Sequence, residues 1–316
     1  MNFRAVLFFL LFFSTTAQAF EPTAVSQFID EMVVKHQFDR AELTAVFQQT
    51  VTRSDALAAI SRPATRKPWL EYRAAFVNAK RIDGGLQFWE EHTAELQRAA
   101  QQYGVPEEII VALIGIETGY GRNAGKFRAM DALATLAFDY PSRAEFFRSE
   151  LEQFLLLARE QHFEYFSIKS SYAGALGIPQ FMPSSYRKYA VDFNGNGKVD
   201  ILNEAEDAIG SVANYLQGYG WQKDTPIALP ASIENADLLP DDRLPRAAMD
   251  WKNIGVVAEE GRADFPTAVL LDFTVENGKQ YWLTFENFQV IRRYNNSNFY
   301  TMTVYQLAEA LRQARH

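Results

Sequence analysis

Pro106-Glu-Glu-Ile-Ile-Val-Ala-Leu-Ile-Gly-Ile-Glu-Thr-Gly-Tyr-Gly-Arg-Asn123 is the stretch on which the reading of the fold turns. Gly104 and Pro106 open it, with proline where a helix start tolerates a missing donor. Glu107 and Glu108 suit the positive end of a helix dipole. From Ile109 to Ile116 every residue is apolar or glycine, so the helix has no solvent face and belongs in the core. Its end carries one carboxylate, Glu117, on the face of Leu113 and Ile114. Desolvation by apolar neighbours raises a carboxyl pKa, which is the condition of a general acid near neutral pH. Spacing alone also fits a helix-terminal glutamate that reaches back into water.

Upstream, residues 22–100 read as helical. Val25, Phe28, Ile29, Met32 and Val33 recur at helical spacing, and Phe38 to Val51 repeats the pattern. Residues 61–68 form a basic extended link, and Gly84-Gly85 reads as a turn before a helix from Leu86 to Tyr103. At the start, Arg4, the apolar run Ala5 to Phe13 and Ala17-Gln-Ala19 have the form of a secretory leader cleaved after Ala19. That run is too short to span a bilayer, which takes roughly 20 residues. The sequence contains no cysteine, hence neither a disulfide nor a lipid-bearing N-terminal thiol, and export without disulfides points to a bacterial periplasm.

The net charge is −8, and removing the leader, whose one charged residue is Arg4, takes it to −9. Such a balance argues against nucleic acid, which is held by cationic contacts to phosphate, and is compatible with an uncharged glycan. Aromatic residues make up 14%, enough for a core and a ligand groove.

Downstream, Met130–Phe138 and Arg143–Glu160 read as helices separated by a stop at Pro141 and a cap at Ser142. Residues 170–186, with two glycines and two prolines, form a shaped loop able to offer Ser171, Tyr172 and Gln180 to a ligand. Asp192-Phe-Asn-Gly-Asn-Gly-Lys-Val-Asp-Ile-Leu-Asn203 resembles an EF-hand calcium loop, with oxygen-bearing Asp192, Asn194, Asn196 and Asp200, a carbonyl at Lys198, and Gly197 at the turn. Asn203 stands where a bidentate glutamate belongs, with Glu204, Glu206 and Asp207 close behind. An Asn-Gly turn without an ion fits the same residues. Ala208–Tyr219 is helical, residues 225–265 show no period, and two strands flank Glu276-Asn-Gly-Lys before a last helix, Thr301–Arg315.

Six motifs in order then carry a resemblance: Glu117-Thr-Gly-Tyr-Gly-Arg, Asp131-Ala-Leu-Ala-Thr-Leu, Gly177-Ile-Pro-Gln-Phe-Met-Pro, the Asp192 loop, Asp207-Ala-Ile-Gly-Ser-Val-Ala-Asn-Tyr and Arg293-Tyr-Asn. Together they resemble the lytic murein transglycosylase B family (glycoside hydrolase family 103), over roughly residues 70–315. The resemblance implies a mainly α (α+β) fold with a lysozyme-like core. The expected divisions are a leader at 1–19, a helical domain at 20–100, a catalytic core at 101–221 with the cation loop at 192–207, a small β-containing domain at 222–291, and a closing segment at 292–316. It implies cleavage of the β-1,4 bond between N-acetylmuramic acid and N-acetylglucosamine of peptidoglycan, leaving 1,6-anhydromuramic ends.

Glu117 matches the single acid/base of that family, and Tyr72, Ser171, Gln180, Tyr215, Tyr294, Asn295 and Tyr300 match its glycan groove. Asp192, Asn194, Asn196, Lys198 and Asp207 match a structural Ca2+ or Na+ site, while the chemistry itself asks for no cofactor. Members are often lipoproteins; without a cysteine this chain is expected to be a soluble periplasmic form and a monomer, with wall-synthesis complexes left open. Asp131 reads as a helix-cap residue and Asp139 as a turn residue, so the residues offer no second carboxylate for a two-acid mechanism. The alternatives are a hydrolytic muramidase and a non-catalytic, cation-dependent glycan-binding protein.

Overall fold

A computed structural model describes residues 20–62, 67–240, 243–259 and 265–315. The expected leader at 1–19 lies outside these residues. The chain is mainly α with two small antiparallel sheets, as expected.

The N-terminal third forms α1 (Pro22–His36), α2 (Arg40–Gln49), α3 (Ser54–Ile60), α4 (Trp69–Phe76), α5 (Ala79–Glu91) and α6 (Thr93–Tyr103). Carboxylates start two of these: Glu21 accepts from Thr23 and Ala24 amides, and Asp39 from Glu42. Gly84 and Gly85 do not make a turn. They lie inside α5, and the break falls at His92. The reason is packing: a Cβ at Gly85 would lie 2.5 Å from both Leu311 Cδ2 and Tyr120 Oη. Glycine is there so that another chain segment can approach, at a cost in helix propensity of about 1 kcal/mol.

The central helix is α7 (Glu107–Thr118), and every residue from Ile109 to Ile116 is buried. It ends on Gly119 in the left-handed region, φ 62°, whose amide returns to Gly115 and closes the helix. Next come α8 (Ala129–Asp139), α9 (Ala144–Gln161), α10 (Pro183–Tyr189), α11 (Ala205–Gly218), α12 (Ala248–Asn253), α13 (Glu286–Arg292) and α14 (Asn298–Arg315). α5, α6, α11 and α14 pack around α7. Ser142 does not cap α9; residues 141–143 make a 3-10 turn and Arg143 precedes the helix without a side-chain cap. One apolar core runs from Phe28 in α1 to Leu311 in α14.

The strands are β1 (Phe127–Arg128), β2 (Lys169–Ser170), β3 (Ala228–Ile233), β4 (Val256–Ala258), β5 (Val269–Val275) and β6 (Gly278–Thr284). β1 and β2 pair alone, and the others form a sheet in the order β4-β3-β6-β5. β5 and β6 form the expected hairpin, with Val275 opposite Gly278. This sheet has its own core around Trp251, Leu283 and Phe285. A second cluster, in which Trp69 of α4 meets Phe273 and Met302, fastens it to the helices.

Candidate active site

Glu117 sits on the last turn of α7, where the helix leaves the core. Burial pushes its carboxyl from 4.5 up to about 7, opposed by one hydrogen bond, in which Tyr300 Oη donates to Oε1 at 2.5 Å. Tyr300 comes from the first turn of α14, and burial and the neighbouring Glu117 charge raise its own hydroxyl well above its ordinary value. Tyr294 is raised by burial and then by Glu117, and so is Tyr72, which places both phenols within electrostatic reach of the carboxyl.

The turn after Glu117 is held from two sides. Thr118 Oγ1 donates to Ile178 O at 2.8 Å and accepts from Gly121 N at 2.9 Å, tying Thr-Gly-Tyr-Gly to the loop at 177–181. Tyr120, itself at φ 66°, turns back over α7 and donates to Arg81 O at 2.7 Å. The Arg81 guanidinium donates to Gly115 O, so α5 clamps the α7 terminus. These contacts fix Glu117 through the backbone on both sides of it.

One cavity holds the carboxyl, and a second is lined by Tyr294, whose phenol lies within electrostatic reach of it. The first, of about 600 Å³, is lined by Glu117 with Phe76, Asn78, Arg81, Tyr120 and Asn123. The other, of about 840 Å³, is lined among others by Gln180, Phe181, Tyr215, Tyr294 and Asn295. The Tyr215 and Tyr294 rings meet at 4.8 Å, and Phe181 lies 5.4 and 5.9 Å from them, so the wall is aromatic and preformed. Tyr294 Oη donates to Pro179 O at 2.5 Å and Tyr215 Oη to Arg293 O at 2.9 Å. Gln180, at φ 53°, donates to Ala124 O and Gly177 O at 3.1 and 2.8 Å.

Of the expected groove residues, Gln180, Tyr215, Tyr294 and Asn295 therefore share one cavity, while Tyr72 and Tyr300 gather at Glu117. Ser171 is turned inward: its Oγ accepts from the amides of Ala173 and Ala175 at 3.3 and 3.2 Å and shapes the loop. Tyr72 packs against Phe76 and Phe299 at 5.3 and 5.8 Å. Arg81, Tyr120 and Asn123 were not singled out by the sequence reading. The last two follow Glu117 directly, and that adjacency was the available signal, whereas nothing marks Arg81.

The loop at 192–204 has the hydrogen bonding of a cation loop. Asp192 accepts from the amides of Gly195, Asn196 and Gly197 at 2.7, 3.0 and 2.8 Å. Asn196 and Lys198 amides donate to Asn194 Oδ1 and Asn196 Oδ1. Glu204, one position beyond the usual twelfth, accepts from the Asn194 and Asn196 amides at 2.7 and 3.0 Å and so stands where those side chains converge. Two carboxylates, two amide groups and the Lys198 carbonyl make an all-oxygen donor set that fits a hard cation. Asp207 has another task. Fully buried, it accepts from Phe193 and Asn194 amides on one oxygen and Asp200 on the other, anchoring the loop to α11. Asp131, in the first turn of α8 and buried, accepts from Val51 N and Arg128.

A cavity with a carboxyl poised near neutrality, and a second one walled by tyrosines packed edge to face, make the layout of a glycan-cleaving enzyme of the lysozyme-like class. Residues 20–309 match the transglycosylase SLT domain. The chain is 42% identical over 299 residues, 92% of its length and 82% of the relative's, to the membrane-bound lytic murein transglycosylase B of Escherichia coli (strain K12). Its fold superposes on the soluble lytic transglycosylase SltB1 of Pseudomonas aeruginosa with a TM-score of 0.86 at 45% identity, covering 92% of this chain and 99% of that one. Escherichia coli lytic transglycosylase Slt35 in complex with calcium gives 0.86 at 41% identity, covering 96% and 98%. The chain belongs to this lytic transglycosylase family. No helix among the described residues is long and apolar enough to cross a membrane.

Proposed function

We propose that the protein cleaves the glycan of peptidoglycan without water, with Glu117 as both acid and base. The observation that carries this is that Glu117, held near neutrality by desolvation, has a tyrosine hydroxyl and not a second carboxylate as its hydrogen-bond partner. Protonated Glu117 gives its proton to the glycosidic oxygen as the bond from C1 of N-acetylmuramic acid breaks, and the bonding pair leaves with that oxygen. Positive charge develops at C1 and the ring oxygen. Glu117, now a carboxylate that Tyr300 stabilises, takes the proton of the C6 hydroxyl of the same sugar. The C6 oxygen closes on C1, which forms the 1,6-anhydro ring and restores protonated Glu117. Attack by a group already on the sugar has the advantage of proximity, and it needs no second acid to activate water.

Gln180, Tyr215, Tyr294 and Asn295 are assigned to the glycan wall, with Tyr72 and Ser171 at its margins. Asp192, Asn194, Asn196, Glu204 and the Lys198 carbonyl would hold Ca2+, as a brace for the loop ahead of α11 with no part in the chemistry. A peptidoglycan substrate supports action in a bacterial periplasm. Digestion of purified peptidoglycan by residues 20–316 and by the Glu117→Gln variant tests the reading. Soluble fragments with anhydromuramic ends from the wild type and none from the variant are expected. Reducing ends would mean hydrolysis, and fragments from the variant would remove Glu117 from the mechanism.

A further inference from the structure

The β1–β2 pair bears an arrangement that bond cleavage does not use. Arg128 and Lys169 are direct partners across it, so two cations face each other on a sheet two residues long. Like charges opposite one another destabilise such a pair. Asp131 answers Arg128 at 2.6 Å, and Asp55 answers Arg53 at 2.8 Å. Lys126 and Lys169 are exposed, and no carboxylate among the described residues forms an ion pair with either. All four cations line one open cavity of about 620 Å³ with only Asp55 and Asp131 against them, in a chain of net charge −8.

This cavity adjoins the one that holds Glu117. A Cβ on Gly125 would lie 2.1 Å from Ser170 O and 2.6 Å from Ser171 N, so the residue before Lys126 rests directly on the start of the 170–186 loop. Ala124 O accepts from Gln180, and Asn123 lines the Glu117 cavity. Three residues span at most about 11 Å, so Lys126 stands within that distance of the rim of that cavity.

Resting on the peptidoglycan reading, we infer that the cavity bounded by Lys126 and Lys169 receives the carboxylates of the peptide carried by the substrate's muramic residues. In a peptide-bearing strand the lactyl carboxyl of each muramic residue is tied up in its amide bond to the peptide, so the free carboxylates are those of the peptide. Extended, a peptide of four or five residues reaches roughly 14–18 Å, enough to run from the Glu117 cavity to the β1–β2 pair. Exposed lysines attract carboxylates weakly and in a salt-dependent way, so they act on capture of the substrate and not on the chemical step.

The test compares wild type with Lys126→Ala/Lys169→Ala on two substrates, peptide-bearing peptidoglycan strands and the same strands stripped of peptide. At low salt, the double variant is expected to lose about tenfold in kcat/KM on the peptide-bearing strands with kcat unchanged. The loss should shrink to about twofold in 0.5 M salt and be absent on stripped strands. Lys126→Arg/Lys169→Arg should retain wild-type rates on both. Equal loss on both substrates, or no loss on either, would overturn the assignment. A wild type inactive on both substrates would instead overturn the cleavage reading on which it rests.

Discussion

The Tyr300 hydroxyl donates to Glu117 Oε1 at 2.5 Å, across 183 residues of sequence. Burial holds the carboxyl up, and this one bond holds it down. The pair therefore sets the pH at which the acid is loaded.

Activity should decline as pH rises through about 7, because cleavage begins from protonated Glu117. Tyr300→Phe removes the bond that favours the carboxylate, so the alkaline limb should move to higher pH while the maximal rate falls by about tenfold or more. Peptidoglycan solubilisation followed from pH 4 to 9 for both proteins measures this. An unmoved limb would separate Tyr300 from the titration.

The same pKa has a consequence for stability. The folded state holds the Glu117 proton more tightly than the unfolded chain does, so this contribution is complete below 4.5 and lost as pH rises towards about 7. Glu117→Gln, which stays neutral, should therefore be more stable than wild type at pH 8, by about 1–2 kcal/mol after allowance for the residue's partial exposure. The advantage should fade near pH 4. Thermal unfolding at both pH values reads the difference.

Gly115 makes room for Tyr120: a Cβ there would lie 2.6–2.7 Å from the ring and hydroxyl. Alanine would gain about 1 kcal/mol of helix propensity in isolation, yet overpacking should leave Gly115→Ala destabilised by a net 1–3 kcal/mol. Denaturant unfolding should show this loss, with activity reduced because the turn after Glu117 shifts. Tyr120→Leu in the same chain should recover part of the stability.

For the loop at 192–204, added Ca2+ should raise the unfolding temperature of wild type, and Glu204→Gln should abolish most of the increase. Asp207→Ala should behave differently. It strips partners from three backbone amides and should cost several kcal/mol with or without the ion. Calorimetric scans of the three proteins, with Ca2+ and with a chelator, distinguish ligand from anchor.

Much of the scaffold was legible because single residues left little choice. An octet of apolar residues from Ile109 to Ile116 has nowhere to go but the core, and a two-residue turn at Glu276-Asn277 between alternating strands makes a hairpin. β3 was hidden by Pro230, which lies in a strand with neighbours on both sides. The structure accommodates it because β4 pairs only with residues 231–233, so the missing donor of Pro230 faces the side where that ladder has ended. Gly84-Gly85 misled for a related reason: local chemistry favoured a turn, and the need to admit Tyr120 and Leu311 prevailed. At the site, Glu117 could be nominated from its own surroundings. Tyr300 could not, since no periodicity links two residues so far apart, and it came only through likeness to a family. Glu204 was obscured by standing one place beyond the expected position.

That long separation also bears on when the enzyme becomes dangerous. α14 supplies Tyr300 and packs on α7 and α5, so a chain in which α14 has not yet docked possesses its acid but not the hydroxyl that tunes it. A ribosome delivers Glu117 long before Tyr300. Competence to cut should thus arrive in one step, after both halves of the chain have met, and an unfinished or clipped polypeptide should be harmless to the cell that makes it.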